Sequence, residues 1–154
     1  MPIHLDNIDF KILAALRDDA RMTNRELAEK IGLSPSPCLR RVRLLEEAGV
    51  IRGYTIRVDQ AALGYPVSVF ATVRMDTQNG EVLEAFQTKI SRCPEVVECY
   101  LMTGNSDFLL KIMVSDLPSY ERFLKQTLTR IPGVGRIESA FALEQIDHKG
   151  SVPF

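Results

Sequence analysis

Three arginines, Arg40, Arg41 and Arg43, lie within four positions of a 154-residue chain whose formal net charge is −1. Arginine is suited to binding anions and nucleic acids, because its planar fork can reach two atoms of a guanine base at once. Residues 34–57 carry five arginines against two glutamates, a local balance of +3 in an otherwise near-neutral chain. The charge therefore predicts a local anion-binding surface, although a solvated charged helix face has the same composition.

The arginines follow two segments that are predicted to be helices. Apolar residues recur at steps of three and four over residues 5–16, which predicts a first helix. Thr23 and Glu26 have the spacing of a capping box, so a second helix is expected to begin at Asn24. Gly32 is predicted to end it, since glycine is common just after a helix.

A third predicted helix carries the arginines themselves. Ser34 is its candidate N-cap and Pro35 its first residue, where the missing N–H of proline does no harm. The helix is expected to end near Ala48. A short helix, a tight glycine turn and a longer helix form the pattern of a helix-turn-helix.

A helical wheel predicts which side chains of this third helix are available to a ligand. Cys38, Val42 and Leu45 share one face and are expected in the core. Arg40 lies opposite that face, and Ser36, Pro37 and Arg43 fall on the outward side. Arg41 falls on the flank, and Leu44 points outward without an explanation from core packing. In a helix-turn-helix the start of the second helix enters the major groove, and its free N–H groups can bind phosphate. The residues predicted to contact double-stranded DNA are therefore Ser34, Ser36, Pro37, Arg40, Arg41 and Arg43.

The second part of the chain has a different periodicity. The alternation in "IRGYTIRVD", residues 51–59, predicts a strand. Beyond residue 66 the order of predicted elements is β-α-β-β-α-β, which is typical of the ferredoxin-like fold. The predicted strands are 67–75, 95–103, 108–114 and 137–146, and the predicted helices are 80–92 and 117–131.

These elements predict an α+β protein in three parts. Residues 1–50 form a helix-turn-helix, winged-helix-like domain, and residues 51–66 a hinge strand and linker. Residues 67–154 form a ferredoxin-like domain with an antiparallel sheet. The two helices of such a domain cover one face of the sheet, so the other face is expected to be buried on a partner copy.

The turn "TGNSD", residues 103–107, is the second candidate site. Gly104 allows the backbone to reverse, and turns of this kind expose N–H groups that can hold a carboxylate. Asp107 can hold an ammonium group, so one turn offers partners for both charges of an amino acid. The alternative is that Gly104 and Asp107 only form a hairpin turn.

Several classes of protein are disfavoured by the sequence. No apolar run approaches the ~18 residues of a membrane span, and the N-terminus lacks the features of a secretory signal. The odd number of cysteines (Cys38, Cys93, Cys99) is typical of free thiols in a reducing cytoplasm. The nucleotide-binding glycine motifs are missing, and His4 and His148 have no partners at metal-ligand spacing. We therefore expect no metal, no cofactor and no enzymatic activity.

Taken together, the motifs resemble the Lrp/AsnC (feast/famine) family of bacterial and archaeal transcription regulators. The residues that carry the resemblance are "LDNIDFKILAALRDDARMTNRELAEKIGLSPSPCLRRVRLLEEAGVIRGY", "TGNSDFLLKI" and "IPGV…SAFALEQI", so it covers nearly the whole chain. It implies an N-terminal DNA-binding domain, a hinge strand and a C-terminal domain that binds small molecules, mostly amino acids. It also implies a homodimer, which in this family often assembles into rings of four dimers.

The resemblance also favours a true effector site at the turn, completed by a neighbouring subunit. The residues assigned to it are Leu101, Met102, Thr103, Gly104, Asn105 and Asp107. The apolar Leu101 and Met102 favour a branched-chain amino acid, methionine or a similar ligand. Two other classes of protein are alternatives. One is an amino-acid-binding regulatory module of an enzyme, which the helix-turn-helix disfavours, and the other is an RNA binder, for which "DFLLKIMV" lacks the required aromatic residues.

Overall fold

The computed structural model describes residues 4–77 and 79–146. This part of the chain divides into two compact units, of which the first extends to Arg57 and the second spans Val58–Ile146. The domain limits predicted from the sequence, at residues 50 and 66, remain a prediction. Each unit has its own hydrophobic core.

The first unit consists of three helices, α1 (Asn7–Asp18), α2 (Asn24–Ile31) and α3 (Pro35–Glu47). The capping box predicted for α2 is present, since Thr23 accepts a bond from the Glu26 backbone and the Glu26 carboxylate accepts one from the Thr23 backbone. Gly32 then ends the helix in the left-handed conformation, with φ of +76°. The three helices bury a shared core of Ile12, Ala15, Leu27, Ala28, Cys38 and Leu45.

The second unit is an antiparallel four-stranded sheet with two α-helices packed on it. Its elements are β1 (Val67–Met75), α4 (Gly80–Ile90), β2 (Val96–Leu101), β3 (Phe108–Val114), α5 (Leu117–Gln126) and β4 (Val134–Phe141). The strand order β2-β3-β1-β4 is that of a ferredoxin-like fold, so the predicted α+β class is confirmed.

Alternation along the two central strands separates the faces of this sheet. In β1 and β3 every second side chain is buried against α4 and α5: Val69, Ala71, Val73, Met75, Phe108, Leu110, Ile112 and Val114. The side chains between them lie on the opposite face, where Phe70 is 39% exposed.

Two predicted strands differ from the structure. Residues 51–59 form no strand within the chain, because an extended segment becomes a strand only when another backbone pairs with it. The last strand covers Val134–Phe141 and not residues 137–146, since Gly135 belongs to the sheet. A Cβ at Gly135 would collide with the Asp76 carboxylate, so glycine permits β4 to pass close to this side chain.

The helix predicted over residues 117–131 is shorter in the structure. It ends at Gln126, and a separate 3₁₀ turn follows at Leu128–Arg130. Leu128 within that turn is fully buried, so tertiary packing and not helix propensity determines the local geometry.

Candidate DNA-binding face and effector turn

The start of α3 is fixed by its neighbour in the first unit. Pro35 is its first residue, and the Pro35 carbonyl accepts a 2.8 Å hydrogen bond from the Asn24 side-chain amide at the start of α2. Ser34 is the N-cap residue, but its hydroxyl makes no capping bond and lies exposed. Pro35 and Pro37 have no backbone N–H, and the Cys38 N–H donates to the Ser34 carbonyl at 3.2 Å. Of the first four residues of α3, Ser36 alone therefore retains an N–H for a phosphate.

The outward face of α3 contains the other predicted DNA contacts. Ser36, Pro37, Arg40 and Arg43 are all exposed, as the wheel predicted. A shallow concavity of about 260 Å³ runs along this face, lined by Ser36, Leu39, Arg40, Arg43, Leu44 and Glu47. The face thus combines hydroxyl, guanidinium and apolar groups along one side of a helix.

Arg41 differs from the other arginines because acidic residues of α1 surround its guanidinium. Its Nη1 lies 2.8 Å from Asp9 Oδ1 and 2.9 Å from Asp6 Oδ2. The hydrogen bond with Asp9, followed by that with Asp6, raises the pKa of Arg41. Its place among the DNA contacts remains a prediction, and in the structure this side chain connects α3 to the start of α1.

The same two aspartates form the capping box of α1. Asp6 Oδ1 accepts bonds from the backbone N–H groups of Ile8 and Asp9, and Asp9 Oδ2 accepts one from the Asp6 backbone. The Asp9 backbone bond is the main cause of the lowered pKa of Asp6, with the Arg41 side chain contributing. From the sequence either Asp6 or Asn7 could cap this helix, and the structure has Asp6 as the cap. The reciprocal bond to Asp9, indicated by the D-x-x-D spacing, was not predicted.

The effector turn lies between β2 and β3 in the second unit. Leu101, Met102, Thr103, Gly104 and Asn105 are all exposed, and Leu101 is 62% exposed. Gly104 has φ of +110°, a conformation that residues with a side chain rarely adopt. The turn is closed by a 2.8 Å bond from the Met102 N–H to the Asp107 carbonyl.

Asp107 lies inside this turn and is only 7% exposed. Its Oδ2 accepts a 2.7 Å hydrogen bond from the Met75 N–H, and its own N–H donates to the Val73 carbonyl at 2.8 Å. The carboxylate therefore joins the turn to the end of β1. Its role as the partner of a ligand ammonium group stays a prediction, and its bonds to β1 were not predicted from the sequence.

A larger concavity of about 350 Å³ lies on the sheet face opposite α4 and α5. Its lining residues are Gln60, Pro66, Ser68, Phe70, Lys111, Ala142, Leu143, Glu144 and Gln145. Lys111 is paired with Glu98 of β2 at 3.1 Å. The sequence predicted an uncovered face here but not a concavity.

Within residues 4–77 and 79–146, no three or more His, Cys, Asp or Glu side chains are grouped to hold a metal ion. No helix in the same residues is long and apolar enough to cross a membrane. His148, considered as a ligand from the sequence, lies outside the described residues.

Comparison with known proteins assigns a family to each of the two units. Residues 5–52 match the winged helix-turn-helix DNA-binding model, and residues 68–152 match the Lrp/AsnC ligand binding domain. The chain is 48% identical over 149 residues to the Bkd operon transcriptional regulator of Pseudomonas aeruginosa, covering 97% of both chains. It is 43% identical to the leucine-responsive regulatory protein of Rhizobium meliloti, covering 94% of this chain and 92% of that one.

A solved structure agrees with these matches. The crystal structure of a Neisseria meningitidis transcriptional regulator in complex with L-methionine superposes with a TM-score of 0.91 at 36% identity, covering 97% of both chains. A DNA-binding helix-turn-helix and a ligand-binding domain thus occur in one chain, in the same order as in its relatives. This protein belongs to the Lrp/AsnC family of DNA-binding transcriptional regulators.

Proposed function

We propose that this regulator binds a pseudo-palindromic operator as a homodimer, through one α3 helix per subunit. An amino acid, apolar and of the size of methionine or leucine, binds at the turn 101–107 between subunits and modulates assembly and DNA affinity. The dimers assemble further, as far as rings of four, in the cytoplasm where the operator is found.

The outward face of α3 carries the DNA-binding part of the proposal. Ser34, Ser36, Pro37, Arg40 and Arg43 are exposed along one side of the helix. Within the described residues neither Arg40 nor Arg43 forms an ion pair, so both guanidinium groups are available to bases or phosphates.

The exposure of the effector turn supports the ligand site. Leu101 and Met102 are large apolar side chains exposed at the end of an edge strand, where a second subunit and a ligand would together cover them. The Neisseria relative was solved with L-methionine, and the Rhizobium relative is described as leucine-responsive. Both ligands are apolar amino acids, in keeping with these two side chains.

Apolar residues exposed in the linker and on the sheet support a dimer. Tyr54, Ile56 and Val58 alternate along a segment that forms no strand in the structure, and all three are exposed. The same segment in a second copy offers the backbone that would complete it as a strand. Phe70, on the sheet face without helices, would be buried by the same association.

Footprinting on an operator selected from random DNA tests the DNA-binding part. A dimer should protect two inverted half-sites whose centres lie about 34–36 Å apart, or a multiple of that spacing. Light scattering should give at least a dimer at micromolar protein concentration. A monomer, or protection of one unpaired half-site, would contradict the proposed assembly. If no DNA is selected, the alternative of a regulatory module for an enzyme is favoured.

A thermal-shift screen of the twenty amino acids tests the effector part, because a ligand of the folded form raises its apparent stability. The Met102→Ala variant should lose most of the shift. Leu117→Ala is the matched control, since Leu117 is also exposed but follows the far end of β3 from the turn. Absence of any shift, or an equal shift in Met102→Ala, would place the effector elsewhere.

A further inference from the structure

Leu39 lies on the flank of α3, between the buried Cys38 and the outward Arg40, and lines the concavity of the outward face. It is 39% exposed, whereas Leu45 in the core is 1% exposed. The core of the first unit consists of other residues, so packing within the chain does not account for a leucine at this position. Leu39 and Leu44 line one concavity rimmed by polar and charged side chains, and an apolar patch in such a setting marks an interaction site.

The neighbours of Leu39 on the helix surface point to the kind of partner. Ser36 lies one turn before it and Arg43 one turn after it, with Arg40 adjacent. These residues span about 10 Å of helix axis, close to the ~12 Å width of the DNA major groove. A surface with two guanidinium groups beside the leucine is complementary to a polyanion rather than to an apolar protein patch.

The major groove contains one apolar group, the C5 methyl of thymine. We propose that Leu39 contacts a thymine methyl and thereby selects a T·A pair beside the bases reached by Arg40 and Arg43. This inference rests on the proposed DNA-binding function and adds a specificity determinant to it. The contact would give α3 a sequence preference that arginine hydrogen bonds alone do not provide.

Leu44 is the other exposed leucine of α3, but its position makes it a poorer candidate. It lies five residues further along, about 7.5 Å closer to the C-terminal end of the helix. Glu46 and Glu47 follow it, and phosphates repel their carboxylates. The N-terminal half of α3, which contains Leu39, is therefore the half directed into the groove.

Replacement of single thymines by deoxyuridine in the selected operator tests the contact, since it removes the methyl group and leaves the hydrogen-bonding edge unchanged. Wild-type protein should lose about fourfold in affinity at one thymine per half-site, the equivalent of one buried methyl group. Leu39→Ala should bind the thymine and deoxyuridine operators equally. Leu39→Met, which retains an apolar side chain, should regain part of the difference, and Leu117→Ala should keep all of it.

Three results would overturn the inference. The first is that deoxyuridine at no thymine position changes the affinity of the wild type. The second is that Leu39→Ala loses as much affinity on this replacement as the wild type does. The third is that Leu44→Ala, and not Leu39→Ala, abolishes the difference between the two operators. A melting curve for each variant ensures that folded proteins are compared. If no DNA sequence is selected at all, the proposed function fails as well, which distinguishes that outcome from loss of the methyl contact alone.

Discussion

The guanidinium of Arg41 in α3 lies 2.8 Å from the carboxylate of Asp9 in the first turn of α1. The same nitrogen is 2.9 Å from Asp6, so one arginine joins the recognition helix to both residues of a capping box. The charge of Arg41 is thus offset within the chain, whereas Arg40 and Arg43 remain on the exposed face. The three neighbouring arginines have different environments and are expected to contribute differently to DNA binding.

Replacement of Arg41 by alanine should lower the stability of the helical unit and, through misplacement of α3, its operator affinity. The slope of log affinity against log salt should stay unchanged, because that slope counts phosphate contacts. Filter binding or fluorescence anisotropy over a salt series measures it. A flatter slope in Arg41→Ala, at unchanged stability, would mean that Arg41 binds phosphate directly.

Arg40 and Arg43 provide the contrasting case. If Arg40 reads a base, Arg40→Ala should cost roughly 1–3 kcal/mol of operator affinity and relax the preference at one position. If Arg43 binds phosphate, Arg43→Ala should weaken all sequences about equally and reduce the salt slope by about one. Binding of wild-type strength by Arg40→Ala would show that the outward face is wrongly assigned.

Acid should destabilise the chain partly through Asp6. Its pKa is lowered from 3.8, first by the Asp9 backbone N–H and then by Arg41, so the unfolded chain takes up a proton at this position before the folded chain does. The contribution of Asp6 to stability is therefore complete above its unfolded pKa and lost as pH falls through its lower, folded pKa. Urea unfolding between about pH 5 and about pH 2 should show a smaller loss for Asp6→Asn, which keeps a capping side chain. An identical pH dependence in the wild type and Asp6→Asn would contradict this.

Substitutions of Asp107 separate its structural role from a role in ligand binding. Asp107→Ala leaves the buried Met75 N–H without its acceptor and should cost about 1–3 kcal/mol of stability. Asp107→Asn retains an oxygen that can accept this bond and should be close to the wild type in stability. If the carboxylate also holds an ammonium group, Asp107→Asn should lose the amino-acid thermal shift while remaining folded. A full shift in Asp107→Asn would limit Asp107 to its structural role.

The elements whose ends depend on local sequence signals were predicted best. The Thr23–Glu26 capping box and Gly32 determine both ends of α2, and the strands predicted over 67–75 and 108–114 are β1 and β3. Features that depend on contacts distant in sequence were missed. The hydrogen bonds from Arg41 to Asp9 and from the Met75 N–H to Asp107 each cross 32 residues, and no local pattern indicates them.

The linker was mispredicted for a related reason. The alternation of apolar residues in 51–59 was identified correctly, but a strand also requires a neighbouring backbone, which the single chain does not supply. The exposed Leu39 was missed because the wheel drew attention to the arginines and to Leu44. Leu39 is recognised as a candidate contact only from the exposed fraction of its side chain in the fold, and not from its residue type.

Titration of labelled operator with protein, in the presence and absence of the amino acid identified by thermal shift, tests the central claim most directly. An effector acts only through different affinities for two states, so operator affinity should change by about 5- to 150-fold. Linkage further requires that saturating operator change the affinity for the amino acid by the same factor. Met102→Ala should show no change in either measurement. An operator affinity that is identical with and without a bound amino acid would contradict the account.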